Sequence, residues 1–161
     1  MLFTDIVGSS QLWEEHPASM SDALSRHDML VRKAISDHSG HVFKTVGDAF
    51  CIAFTAASNG VLAAVAIQRA VWNERWPEDC EIRVRAALHT GECIERSGDY
   101  FGPAVNRVAR LVASAHGGQT VLSRVTADLV RGALPEGTTL RNLGIIRLKD
   151  LGQPELTLIH I

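Results

Sequence analysis

The chain lacks any basic excess: 16 Lys and Arg stand against 18 Asp and Glu, a formal charge of −2 over 161 residues. That argues against a nucleic-acid binder, whose footprint is a basic patch or stripe. Cysteine is scarce. Cys51, Cys80 and Cys93 are an odd count with no C-x-x-C pair, which fits free thiols in a reducing compartment. No apolar run approaches the ~20 residues that span a bilayer. No basic segment followed by an apolar stretch marks a signal peptide. These absences predict a cytoplasmic domain that does not insert into a membrane. The seven histidines include no H-E-x-x-H spacing, and no G-x-x-x-x-G-K-[ST] loop occurs, so a P-loop fold is not expected. Repeats, low-complexity stretches and linkers are absent too.

What is present is an ordinary globular composition, 46% hydrophobic and 21% charged, in a length that suits one domain with its own core. The chain opens inside an apolar segment, LFTDIV. We therefore read residues 1–161 as a single domain excised from a longer chain. Residues 2–7 predict a short strand ended by Gly8. Pro17 suits the first turn of a helix. From there Met20, Leu24, His27, Leu30/Val31 and Ala34/Ile35 recur at helical spacing, with Gly40 at the expected cap. Residues 41–46 and 50–55 are β-rich runs joined by Gly47-Asp48, a hairpin signal. Residues 57–75 predict an Ala-rich buried helix, and 82–91 a strand that begins with strict alternation. The order is β-α-β-β-α-β, a ferredoxin-like core. A helix near 103–115, a strand at 119–123, a helix at 125–131 and strands near 140–148 and 155–161 extend it. The fold class is α+β, one antiparallel-rich sheet with helices packed against it.

Two acids interrupt apolar contexts. Asp5 lies within LFTDIV and Asp48 in the turn of FKTVGDAF. In this topology the third strand pairs antiparallel with the first, which brings Asp5 and Asp48 together at one sheet edge. Adjacent carboxylates repel unless a cation sits between them. Magnesium takes carboxylate and phosphate oxygens together. Asp48 alone is also an ordinary turn former, whereas an Asp inside a short apolar strand needs a partner. Lys44 reads equally as a solvated charge or an ion-pair member, and Asp99 in SGDYFG as a turn residue. Asn106 and Arg110 share a helix face at i, i+4. An amide beside a guanidinium suits a phosphoryl group gaining charge, and surface charge is the competing reading. His89 is expected to be a satisfied structural histidine and Cys51 a buried, inert thiol. Trp13, Trp72 and Trp76 are expected to serve core or interface packing.

Taken together, FTDIVGSS (3–10), FKTVGDAF (43–50), GDYFGPAVNRVARL (98–111) and RLKDL (147–151) resemble the motifs of class III adenylyl/guanylyl cyclase catalytic domains, in the family's order and over nearly the whole chain. The resemblance implies the class III nucleotidyl cyclase fold. It implies that Asp5 and Asp48 hold two divalent metal ions, Mg²⁺ or Mn²⁺. It implies that Lys44 and Asp99 read adenine, that Asn106 and Arg110 orient the ribose and stabilise the transition state, and that Lys149 binds the triphosphate. Guanylyl members typically carry Glu at the position of Lys44 and a small residue such as Cys at that of Asp99, so the pattern is adenylyl. Ser10 departs mildly from a frequent Thr. Gln119 replaces a basic residue that some members place near the phosphates.

The activity so implied is conversion of ATP to cyclic AMP and pyrophosphate, by in-line attack of the ribose 3′-hydroxyl on the α-phosphorus. The implied assembly is a head-to-tail homodimer with shared sites. A guanylyl cyclase and a catalytically silent cyclase-like regulatory domain are the alternatives.

Overall fold

The computed structural model describes residues 1–144 and 157–160. The first strand, β1 (Leu2–Ile6), is followed by Gly8, whose φ of 72° opens α1 (Ser9–Glu15). Next come α2 (Pro17–Asp37), the hairpin β2 (His41–Val46) and β3 (Ala49–Ala53), α3 (Ala57–Asn73) and β4 (Val84–Leu88). A small hairpin follows, β5 (Ile94–Arg96) and β6 (Asp99–Phe101), then α4 (Pro103–Ser114), β7 (Thr120–Leu122), α5 (Arg124–Val130), β8 (Thr139–Arg141) and β9 (Thr157–His160). Lys149 lies outside the described residues.

Among the described residues one sheet runs β2-β3-β1-β4-β7-β9-β8, with β5 and β6 forming a second, two-stranded sheet. The first four strands carry the ferredoxin-like order. All neighbours are antiparallel except β4 and β7, which are parallel.

Strand alternation sends the core to both faces of the sheet. Leu2, Ile6, Phe50, Ile52, Val84, Ala86 and Leu88 face one way, against Met20, Val31 and Ile35 of α2 and Val61, Ala64, Val65 and Ile67 of α3. Phe3, Cys51, Ala87 and Val121 face the other way, against Val108 and Leu111 of α4 and Ala115 just beyond it. Each fully buried aliphatic side chain contributes about 1.5–3 kcal/mol, so both faces are fixed strongly. A one-residue slip in any central strand would exchange them.

The end of α2 differs in detail from its expected cap. Ser39, not Gly40, takes the left-handed conformation (φ 57°), and the Gly40 N–H returns to the Ile35 carbonyl. Gly40 is required for space instead. A Cβ there would lie 2.6 Å from the Phe54 ring.

Buried histidines make this fold acid-sensitive. His89 is 6% exposed, and its Nδ1 meets Ser123 Oγ at 2.8 Å, as expected of a satisfied structural histidine. Burial first, then the Arg107 charge and the amino terminus, push its pKa down to about 4. His27, on the buried face of α2, is fully buried and its pKa is also lowered, by burial first, against the opposing effect of Asp28. Between pH 6.5 and 4 the unfolded chain binds a proton that folded His89 refuses. Stability is therefore complete above about pH 6.5 and falls as pH drops toward 4, by roughly 3 kcal/mol for His89 alone. His27 adds in the same direction. Urea unfolding between pH 7.5 and 4.5 should show this decline, and His89→Gln should flatten it. A flat wild-type profile would mean that the imidazole is not held neutral.

Candidate active site

The hairpin β2–β3 turns through Gly47, at φ 61°, and Asp48. Asp48 then reaches across to the end of β1. Its Oδ2 accepts the Ile6 N–H at 2.9 Å and its Oδ1 accepts the Ser9 hydroxyl at 3.2 Å. Asp48 thus hydrogen-bonds the residue directly after Asp5, which sets the start of β3 beside the end of β1. Ser9 opens α1, an element that strand and helix periodicity did not reveal because it buries no residue.

Asp5 itself has a partner that the sequence reading missed. It stands directly opposite Arg85 across the β1–β4 ladder. Arg85 Nε and a terminal guanidinium nitrogen both donate to Asp5 Oδ2, at 2.8 and 2.5 Å. The alternation Ile82-Arg83-Val84-Arg85 reads as charges turned to solvent. The sheet's second face is not all solvent, and Arg85 meets a carboxylate there.

The residues present suit a divalent ion. Asp5 near the end of β1 and Asp48 just before β3 supply carboxylate oxygens, while among the described residues no group of three or more His, Cys, Asp or Glu could hold a metal ion by itself. That donor set fits Mg²⁺ or Mn²⁺, which bind through one or two carboxylates with the remaining positions left to water and substrate phosphate.

Lys44 and Asp99 come together although 55 residues separate them. Lys44 Nζ donates to Asp99 Oδ2 at 2.6 Å. The hydrogen bond and charge of Asp99 raise the Lys44 pKa, and Lys44 with the Tyr100 N–H lowers that of Asp99. Both groups therefore stay ionised around neutrality. A β-bulge positions Lys44: register shifts between Val42 and Lys44, leaving Phe43 as the extra residue. Without it Lys44 would pair with Phe50 and point into the α2 side of the sheet. With it Lys44 pairs with Cys51 and shares the face of Phe3 and Asp5, a one-residue re-aiming typical of bulges near sites. Phe43 packs edge-on against Tyr100, centroids 4.9 Å apart, and on Phe3 at 6.2 Å. This aromatic wedge ties β2 to β6, so a segment expected to be a Gly-rich loop is a strand that carries Asp99. Cys51, beneath it, is 8% exposed and its thiol is pushed up to about 11 by burial first, in keeping with an inert thiol.

Gly102 and Pro103 start α4 at the end of this hairpin. Ala104, Val108 and Leu111 face the sheet, while Asn106 and Arg110 lie together on the exposed side. Gln119 is tied locally, its Oε1 accepting the His116 N–H at 3.0 Å. Of the tryptophans, only Trp76 packs against the core, donating to the Val71 carbonyl; Trp72 is 80% exposed.

Residues 1–160 match the profile of the adenylate and guanylate cyclase catalytic domain. An uncharacterized protein of Mycobacterium tuberculosis is 41% identical over 157 residues, covering 96% of this chain and 53% of its own length. An adenylate cyclase of Podospora anserina is 33% identical over 148 residues, covering 76% of this chain and 7% of its own length. The chain thus spans about half the length, or less, of these relatives. Among solved structures, an adenylate/guanylate cyclase/hydrolase from Silicibacter pomeroyi superposes with a TM-score of 0.83 at 28% identity, over 99% of this chain and 94% of that one.

Proposed function

The chain belongs to the adenylate and guanylate cyclase catalytic-domain family, and from that premise we propose that it is an adenylyl cyclase, converting ATP to cyclic AMP and pyrophosphate. The observation that carries this reading is the Lys44–Asp99 pair. Adenine offers a donor at N6 and an acceptor at N1. A carboxylate accepts from the first and an ammonium donates to the second. Guanine reverses that order and would leave both protein groups mismatched, which a site matched to adenine disfavours. The ion pair keeps the ammonium and the carboxylate side by side, ready to exchange each other for the two edge atoms of the base.

Residues 1–161 act in this reading as one catalytic domain. Asp5 and Asp48 hold two divalent ions, whose chemistry when bound is to acidify the ribose 3′-hydroxyl and neutralise the phosphates. Asp48 is oriented for that task by Ile6 N–H and Ser9. Asn106 fixes the ribose. Arg110 offers paired donors to the α-phosphoryl oxygens as charge develops in the transition state. Lys149 binds the outer phosphates. Two chains pair head to tail, the aspartates of one facing the Lys44, Asp99, Asn106 and Arg110 of the other.

The test is product analysis with the purified protein in Mg²⁺ or Mn²⁺. Cyclic AMP should form from ATP with a specificity constant about tenfold or more above that for cyclic GMP from GTP. A preference for GTP would make it a guanylyl cyclase. No product, with a non-hydrolysable ATP analogue still binding, would make it a silent regulatory domain.

A further inference from the structure

The two carboxylates at the end of β1 are held by different kinds of partner. Both oxygens of Asp48 accept from neutral donors, Ile6 N–H and the Ser9 hydroxyl. These orient the carboxylate without cancelling its charge. Asp5 is held by a cation. The Arg85 guanidinium closes onto a single oxygen, Oδ2, through two nitrogens, rather than spreading one bond to each oxygen as a bidentate pair does. Nor is this a solvated surface pair. Its side chains are 29% and 25% exposed, against 61% and 60% for Arg83–Glu81 on the same stretch of chain. The β1–β4 register sets Arg85 opposite Asp5, with Ile6 and Val84 buried beside them to lock that register.

A divalent ion held by Asp5 and Asp48 would need lone pairs that Arg85 now engages, and it would bring the positive charge that Arg85 now supplies. We propose that Arg85 is a metal-surrogate latch: it neutralises and positions Asp5 while the site is metal-free, must be displaced when a divalent ion enters, and thereby sets the metal affinity of the site. This rests on the reading of Asp5 and Asp48 as the metal-holding pair. The latch prevents two adjacent bare carboxylates from repelling each other. It also makes the protein alone a weak metal binder, so the ion enters best when substrate phosphates add their own oxygens.

The test titrates Mn²⁺ into the protein without nucleotide, following free Mn²⁺ by electron paramagnetic resonance and bound Mn²⁺ by the rise in melting temperature. Arg85→Gln should bind Mn²⁺ about tenfold more tightly than wild type, the gain from releasing one charge-assisted hydrogen-bonded pair. It should also show the larger Mn²⁺-induced rise in melting temperature. Arg85→Lys keeps a displaceable charge and should stay near wild type, which also guards against loss of fold as the explanation. Arg83→Gln, a charge removed two residues away from a different partner, should change little. Unchanged or weaker binding in Arg85→Gln, or an equal gain in Arg83→Gln, overturns the latch. Asp5→Asn separates the two readings. If it weakens Mn²⁺ binding while Arg85→Gln has no effect, the latch alone is wrong. If wild type and Asp5→Asn bind Mn²⁺ identically, the metal-holding pair is wrong and the latch falls with it.

Discussion

Asp5→Asn and Asp48→Asn should each lower turnover by about 10³-fold or more, because phosphate neutralisation by a bound ion is worth several kcal/mol and each 1.4 kcal/mol is tenfold. Neither change should unfold the chain. An Asn at 48 keeps an oxygen for the Ile6 N–H and an amide for Ser9. An Asn at 5 loses the ion pair to Arg85 but keeps an oxygen to accept from its guanidinium, and neither residue belongs to the apolar clusters. Circular dichroism and melting temperature should therefore stay close to wild type while activity disappears. The same variants test the shared site. Asp5→Asn and Arg110→Ala chains should be nearly inactive apart and active when mixed, since one site of a heterodimer then keeps every wild-type residue. Turnover retained by either aspartate variant would refute the metal assignment. Failure of recovery, at concentrations where heterodimers are shown to form, would refute the shared site.

The sequence reveals those parts of the fold whose apolar residues keep a period. The two long helices and β1, β3 and β4 bury a stripe or a face, and burial is what writes periodicity into a chain. The short helix α1 fully buries no residue and sets only Leu12 against the core, and Ile94–Arg96 is exposed throughout, so neither left a pattern. A bulge is a single residue and is equally silent: nothing in HVFKTV announces that Phe43 is extra. The tie of Asp48 to the end of β1 followed from topology alone, because a hairpin turn after the second strand must return to the end of the first. The Lys44–Asp99 contact did not follow from topology. Strand spacing left Lys44 as any charge and Asp99 as any turn residue, and only resemblance to cyclases paired them. Arg85 escaped both routes. Its alternation with Val84 is the pattern of a solvent-facing charge, and what distinguishes it is the register of a strand 80 residues away.

Replacing Lys44 by Glu and Asp99 by Cys should cut the specificity constant for ATP by very roughly 10²-fold or more, at 1–3 kcal/mol for each lost or mismatched hydrogen bond. In the wild type, the ammonium can donate to adenine N1 and the carboxylate can accept from N6. In the double variant a carboxylate faces the N1 lone pair with no proton to offer, and a thiol is a poor acceptor for N6. Their placement should survive the change. Lys44 is half exposed and Asp99 about a quarter exposed, and the wedge of Phe43, Tyr100 and Phe3 that joins β2 to β6 is untouched. Loss of ATP use would thus report recognition rather than collapse of the hairpin, and an unchanged melting temperature would check this. GTP use should fall less or rise, because Glu can accept from guanine N1–H, although the pocket must also admit the 2-amino group. The measurement is the ATP-to-GTP ratio of specificity constants in both proteins. An unchanged ratio would show that this ion pair is structural, holding β6 to β2, and that the base is read elsewhere.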